Sequence, residues 1–220
     1  MDAKKYYGRE YYGVKVACPK SLCPELLLKY LEPEVLDLGC GQGLMAKEIG
    51  RHMAVFGCDI FPGVSKLGKN FFFHDMEEKP TQKKFASIYC LHVLEHVFDY
   101  VSFLRNAGKS LKEGGIFFIA VPNSYSLLSR AKFFFGKEQA TFGSGNAGCV
   151  ERNELEPHVR FFGKKSLKAI LEKNGFEVKE FFGTTGGKKS ALGGLAGQLN
   201  FACRKKPGCK FLENAGNLLG

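Results

Sequence analysis

The sequence predicts an α/β fold organised on a mostly parallel sheet, and three observations carry that reading. Residues 34–43, Glu-Val-Leu-Asp-Leu-Gly-Cys-Gly-Gln-Gly, run from a short apolar strand into a turn with glycine at every second position. A strand-to-helix turn of this kind lets a ligand lie against bare backbone, because glycine has no Cβ and takes φ above zero. Further apolar runs of strand length follow at Met53–Cys58, Asn70–Phe73, Phe85–Tyr89 and Ile116–Val121. Finally, 220 residues with 45% hydrophobic and 25% charged content suit one soluble domain with a core.

In chain order, Tyr6-Tyr7-Gly8-Arg9-Glu10-Tyr11-Tyr12 reads either as aromatic plugs under an N-terminal helix or as a flap over a bound cation. The turn at 39–43 is not a dinucleotide fingerprint, since the third glycine of that frame is replaced by Leu44, and no Gly-Lys-Ser/Thr phosphate loop follows. Asp37 would repel a pyrophosphate but can accept hydrogen bonds from a cationic ligand. The second run ends in Asp59, the third leads into His74-Asp75-Met76, and the fourth into Cys90-Leu91-His92-Val93-Leu94-Glu95-His96-Val97. Gly114-Gly115 is expected to turn the chain into the fifth strand, which closes at Pro122-Asn123. Ser124–Phe135 reads as a helical lid, followed by a glycine-bearing loop from Lys137 to Pro157. A helix is expected over Ser166–Asn174. Six glycines between Gly183 and Gly197 predict poor order there.

The segment V-L-D-L-G-C-G-x-G resembles motif I of the class I S-adenosylmethionine-dependent methyltransferases, whose cofactor carries an ammonium and a sulfonium. L-E-H-V after the fourth strand resembles the quinone and small-molecule branch of that family. The series P-N…R…H-x-R-F-F-x-x-x-S-L…L-x-x-x-G-F-x-V is similar to its cell-envelope glycan and quinone methyltransferases, and more loosely to MetW of methionine biosynthesis. The resemblance implies a Rossmann-like three-layer sandwich with a seven-stranded sheet, strand six at Phe176–Phe182 and a reversed strand seven at Leu199–Lys205. It implies a single domain over 1–220, with a cap over 1–30 and a lid over 123–160. It further implies S-adenosylmethionine as cofactor and S-adenosylhomocysteine as product. Asp37, Gly39, Cys40, Gly41 and Gly43 would cradle the cofactor, Asp59 would hold the ribose diol, and Ile60 beside it would also contact the cofactor. Asp75 would accept from the adenine amino group, with Met76 and Leu91 as apolar neighbours.

Other features weigh against rival classes. Eight cysteines lack the repeated C-x₂-C spacing of a zinc ribbon and read as free thiols, with Cys58 and Cys90 as buried strand residues. His92-x-x-Glu95-His96 has the letters of an inverted zinc-peptidase motif, yet it lies in a turn after a short strand and not on a helix, so no metal is expected. The +10 net charge is spread along the chain, which favours a solvated surface over a nucleic-acid footprint, while a positive field also suits an anionic small substrate or a membrane surface. No run of about 18 apolar residues and no secretory signal is found, so a cytoplasmic protein is expected. His92, His96 and His158 are the candidates for the general base that a hydroxyl acceptor requires, with His92 expected nearest the methyl group. A noncatalytic cofactor-binding module and an RNA methyltransferase remain the alternatives.

Overall fold

The computed structural model describes residues 23–136 and 158–209. Eight strands form one sheet in the order β3-β2-β1-β4-β5-β8-β6-β7. They are β1 (Val35–Leu38), β2 (Val55–Asp59), β3 (Phe71–Phe73), β4 (Phe85–Leu91), β5 (Leu111–Pro122), β6 (Phe176–Thr185), β7 (Lys188–Lys189) and β8 (Gln198–Lys205). Strands β1 to β5 pair in parallel. Strand β8 is antiparallel to both β5 and β6. The predicted Rossmann-like sheet with a reversed last strand is therefore present, and the two-residue β7 makes eight strands where seven were expected.

The central strands are apolar on both sides because both faces are covered. Alternate residues separate cleanly by face. Leu36, Ile88, Phe117, Ile119, Phe201 and Cys203 pack with Phe103, Leu104 and Ala107 of α3 (Tyr100–Ser110) and with Leu167 and Leu171 of α5 (Lys164–Lys173). On the opposite face Val35, Val55, Phe118, Ala120 and Phe182 pack against Leu27 of α1 (Pro24–Leu28) and against Met45, Ala46 and Ile49 of α2 (Leu44–Ile49). Asp99 starts α3 by accepting from the Val101 and Ser102 amides at 3.1 and 3.0 Å, which satisfies two donors that have no partner inside the helix. The buried i, i+4 pair Leu167 and Leu171 gives α5 its inner face.

Two expectations change. Gly114-Gly115 lies inside the long β5 and not before it. The pairing with β4 is irregular there, jumping from Phe85↔Leu111 to Ser87↔Ile116, and Gly114 takes φ +67°. The glycine-rich 183–197 stretch is ordered. Gly186 and Gly187 make the β6–β7 hairpin with φ of +59° and +82°. Gly183 is there because a Cβ would sit 2.0 Å from the Gly193 carbonyl oxygen, so these glycines serve close packing. The helix after the fifth strand, α4 (Leu127–Phe134), buries none of its residues. The tyrosine-rich start and the 137–157 loop lie outside the described residues. Among those described, no helix is long and apolar enough to cross a membrane.

Several of the basic residues are engaged locally. Lys83 lies 3.5 Å from Glu34 and over the Phe56 ring, Lys189 is 2.8 Å from Glu180, and Arg204 is 3.1 Å from Glu32. Lys205 is buried, with Nζ 2.7 Å from Glu113 and donating to the Leu111 carbonyl at 3.2 Å. Cys40, Cys58, Cys90 and Cys203 are buried free thiols, and burial pushes each well above the ordinary thiol range.

Candidate active site

Parallel strands end together at their carboxyl edge, and ligands of open α/β sheets sit outside that edge. A cleft of about 240 Å³ opens there. It collects Asp37 and the 39–42 turn after β1, Asp59 and Ile60 after β2, His74-Asp75-Met76 after β3, and Leu91, His92 and His96 after β4. Nearly all the expected cofactor residues meet in it; Gly43 stands just behind as the left-handed N-cap of α2.

The turn is shaped by backbone hydrogen bonds. Gly39 and Cys40 amides both donate to the Cys58 carbonyl, at 2.8 and 3.1 Å, tying the turn to the end of β2. Gly39, Gly41 and Gly43 all take positive φ. The need for glycine at 39 comes from the protein itself. A Cβ there would lie 2.3 Å from Val93 Cγ2, so the turn after β4 packs where a side chain would be. Asp59 is likewise a brace. Its two oxygens accept from the Gly41 amide at 2.8 Å and the Phe61 amide at 3.0 Å. Asp75 accepts from the Glu77 amide at 2.9 Å. The Met76 side chain is buried beneath the cleft, and its carbonyl is held by Asn106 at 2.8 Å.

Asp37 is the most perturbed acid. It is buried at the base of the cleft, and desolvation pushes its carboxyl up to about 7, with the nearby Asp59 adding to the rise; hydrogen bonds from Tyr89 and the Ala46 backbone offset only part of it. An apolar surround and a second acid make a cation the natural partner.

At the other end of the cleft His92 and His96 line the wall, and His158, which does not line it, meets His96 beside the buried Glu95. A 3-10 turn at Leu94–His96 follows β4. Glu95 is buried, with its Oε1 3.5 Å from His92 Nδ1 and 3.9 Å from His96 Nε2, beyond direct hydrogen-bond range. Burial alone would raise its carboxyl, but His92 and His96 outweigh that and hold it below the ordinary range. His158 arrives from far along the chain because the Val159 and Arg160 amides donate to the Glu95 carbonyl at 2.9 and 3.3 Å. The Arg160 guanidinium binds the Val97 and Phe98 carbonyls and lies over Tyr100. The His96 and His158 rings meet edge to face, centroids 4.9 Å apart. Glu95, His96 and His158 present ligand-type atoms within 4.8 Å of one another, a grouping that could hold a metal ion although none was expected from sequence.

Sequence reasoning missed two things here. His92 has φ +56°, a left-handed conformation unusual outside glycine. Gln198 on β8 bonds the His92 ring at 2.7 Å. Polar residues at alternate positions of an otherwise apolar strand, Gln198 and Asn200, were the available signal.

Comparison with known proteins agrees with this geometry. Residues 18–180 match the methyltransferase domain family. The human mitochondrial ubiquinone biosynthesis O-methyltransferase is 28% identical over 166 residues, covering 68% of this chain and 43% of that protein. The ubiquinone biosynthesis O-methyltransferase of Coxiella burnetii is 30% identical over 125 residues, covering 48% of this chain and 53% of that one. The chain thus spans about half the length of these relatives. Among solved structures, a SAM-dependent methyltransferase from Methanosarcina mazei superposes with a TM-score of 0.63 at 19% identity, covering 85% of this chain and 99% of that one. A Thermotoga maritima SAM-dependent methyltransferase gives 0.61 at 19%, covering 83% and 87%. With the family match spanning most of the chain and the fold shared, this protein belongs to the methyltransferase domain family, in its Rossmann-like, class I form.

Proposed function

We propose that the chain is an S-adenosylmethionine-dependent methyltransferase that transfers the methyl group to a hydroxyl of a small quinone-type acceptor. The observation that carries this reading is the division of one cleft into an acidic end, Asp37, Asp59 and Asp75, and a histidine end around Glu95. The residues fit the cofactor. Asp37 suits its ammonium, the Asp59 carboxylate at the cleft wall suits the ribose diol, and the glycine-rich turn suits close approach. When bound, S-adenosylmethionine supplies an electrophilic methyl carbon on cationic sulfur.

The protein's own work is then alignment and proton removal. The glycine turn and the two ends of the cleft fix the line between donor and acceptor. His92 takes the acceptor's hydroxyl proton, and the carboxylate of Glu95, 3.5 Å from its Nδ1, stabilises the imidazolium that forms. The relatives named as ubiquinone biosynthesis O-methyltransferases support a phenolic acceptor at oxygen. Exposed Leu127, Leu128, Phe133 and Phe134 on α4, beside Arg130 and Lys132, support contact with an anionic lipid surface from which an apolar acceptor is drawn.

The test is a thermal shift with S-adenosylmethionine and with NAD, then a labelled-methyl assay offering catechols and RNA. Stabilisation by NAD alone overturns the cofactor assignment, and transfer to RNA alone overturns the acceptor class. A chelator arm separates acid–base chemistry by the histidines from chemistry using an ion at Glu95, His96 and His158.

A further inference from the structure

A chain of buried polar groups crosses the sheet and ends on the His92 ring. His92 Nε2 is 2.7 Å from Gln198 Oε1. Gln198 Nε2 donates to Asn200 Oδ1 at 2.6 Å. Asn200 Nδ2 donates to the Phe182 carbonyl at 3.2 Å and meets Thr184 Oγ1 at 3.1 Å. Gln198, Asn200 and Thr184 are all buried, and the register places Asn200 opposite Phe182 and Gln198 opposite Thr184.

The direction of every bond follows from one atom. A side-chain amide has an accepting end and a donating end, and shape alone does not distinguish them. The Phe182 carbonyl only accepts, so Asn200 must turn its NH₂ toward β6. Its oxygen then faces Gln198 and requires the Gln198 NH₂. Gln198 is left with its oxygen toward His92, and that oxygen needs a hydrogen on Nε2.

We infer that Gln198, oriented by Asn200, is a positioning residue that holds His92 in the Nε2–H tautomer, leaving Nδ1 as the lone-pair atom of the neutral ring. The inference rests on the reading of His92 as the base, and it specifies which ring atom does that work. Two observations support it independently. Polar side chains in the middle of an apolar sheet are costly unless paired, and here each finds a partner in one continuous line. His92 is also held in a left-handed conformation, its amide donating to the Ala120 carbonyl at 2.9 Å, so the backbone delivers the ring to Gln198 under constraint.

The relay opposes a local pull. Glu95 Oε1 faces Nδ1 at 3.5 Å, and a carboxylate there favours hydrogen on Nδ1. Without an acceptor at Nε2 the neutral ring would switch, and its lone pair would point into the sheet.

The experiment is ¹⁵N NMR of the histidine rings in the full chain, at a pH where the ring is neutral, using two-bond ¹H–¹⁵N correlations. The wild type is expected to show the Nε2–H pattern for His92, assigned by its loss in His92→Ala. Gln198→Met, close in shape but without the oxygen, is expected to switch it to Nδ1–H and to lower kcat at least tenfold with little change in the cofactor KM. An Nδ1–H pattern in the wild type, or an Nε2–H pattern unchanged in Gln198→Met, overturns the relay. Full turnover in His92→Ala removes the base assignment while leaving the tautomer result intact, so the two failures are distinguishable. Asn200→Ala, if it folds, gives a second reading through a mixed pattern; Gln198→Met decides the matter alone if it does not.

Discussion

Changing pH across the titration of Asp37 should move cofactor affinity and apo stability in opposite directions. Its carboxyl is raised from 3.8 to about 7 by burial, by Asp59, and despite the Tyr89 and Ala46 hydrogen bonds. Between those values the folded protein binds the proton and the unfolded chain does not, so stability falls as pH rises through the window and is level above it. At about 1.36 kcal/mol per unit, the contribution lost is roughly 4 kcal/mol. A cationic cofactor requires the ionised acid. About 1% is ionised at pH 5 and about three-quarters at pH 7.5, so affinity should strengthen roughly 80-fold, near 2.6 kcal/mol, between them. An α-amino group with a pKa of about 7.7–8.0 is itself roughly a quarter to two-fifths deprotonated at pH 7.5, which trims the expected gain to about 50-fold. Calorimetry of S-adenosylmethionine binding in buffers of different ionisation enthalpy reads the affinity and the proton released, expected near one at pH 5. Asp37→Asn should bind weakly, lose the slope and gain stability over wild type above pH 7. Equal wild-type affinity at pH 5 and 7.5, or a slope that survives in Asp37→Asn, refutes the reasoning.

Other substitutions probe the rest of the site. His92→Ala should lower kcat by about 10²- to 10⁴-fold, the usual worth of a general base, while calorimetric cofactor affinity stays within about twofold. Gly39→Ala places a methyl group 2.3 Å from Val93 Cγ2 at φ +78°, and urea unfolding should show a loss of about 2–4 kcal/mol. Adding Val93→Ala should recover the packing part but not the backbone part. Asp59→Ala leaves the Gly41 and Phe61 amides without their acceptor, and should cost about 1–3 kcal/mol in the apo protein as well as cofactor binding. Replacing Phe133 and Phe134 by serine should abolish flotation with anionic vesicles and leave catalysis of a soluble catechol unchanged; unaltered flotation discounts the lipid contact.

The acidic end of the cleft was legible in sequence because it is local. Asp37 and Gly39 are two residues apart, and each strand of a parallel sheet delivers the residue that follows it to the same edge. The apolar runs located β1 to β4 closely for the same reason. Glycine misled where its role depends on distant neighbours: Gly183 is crowded by Gly193, and Gly114 belongs to a bulge set by β4 pairing. Eight cysteines and many lysines carried little meaning until burial and partners assigned them.

The sequence by itself determined the sheet, the glycine turn and the three acids at or just beyond the ends of the first three strands, since strand periodicity and residue order contain that information. Only the tertiary structure decided which groups the histidines meet. His92 and Gln198 lie 106 residues apart, and His158 reaches Glu95 through amides that sequence spacing does not relate to it. Hydrogen bonds to a ring depend on position in space, and it is the antiparallel β8, placed between β5 and β6, that brings Gln198 to His92.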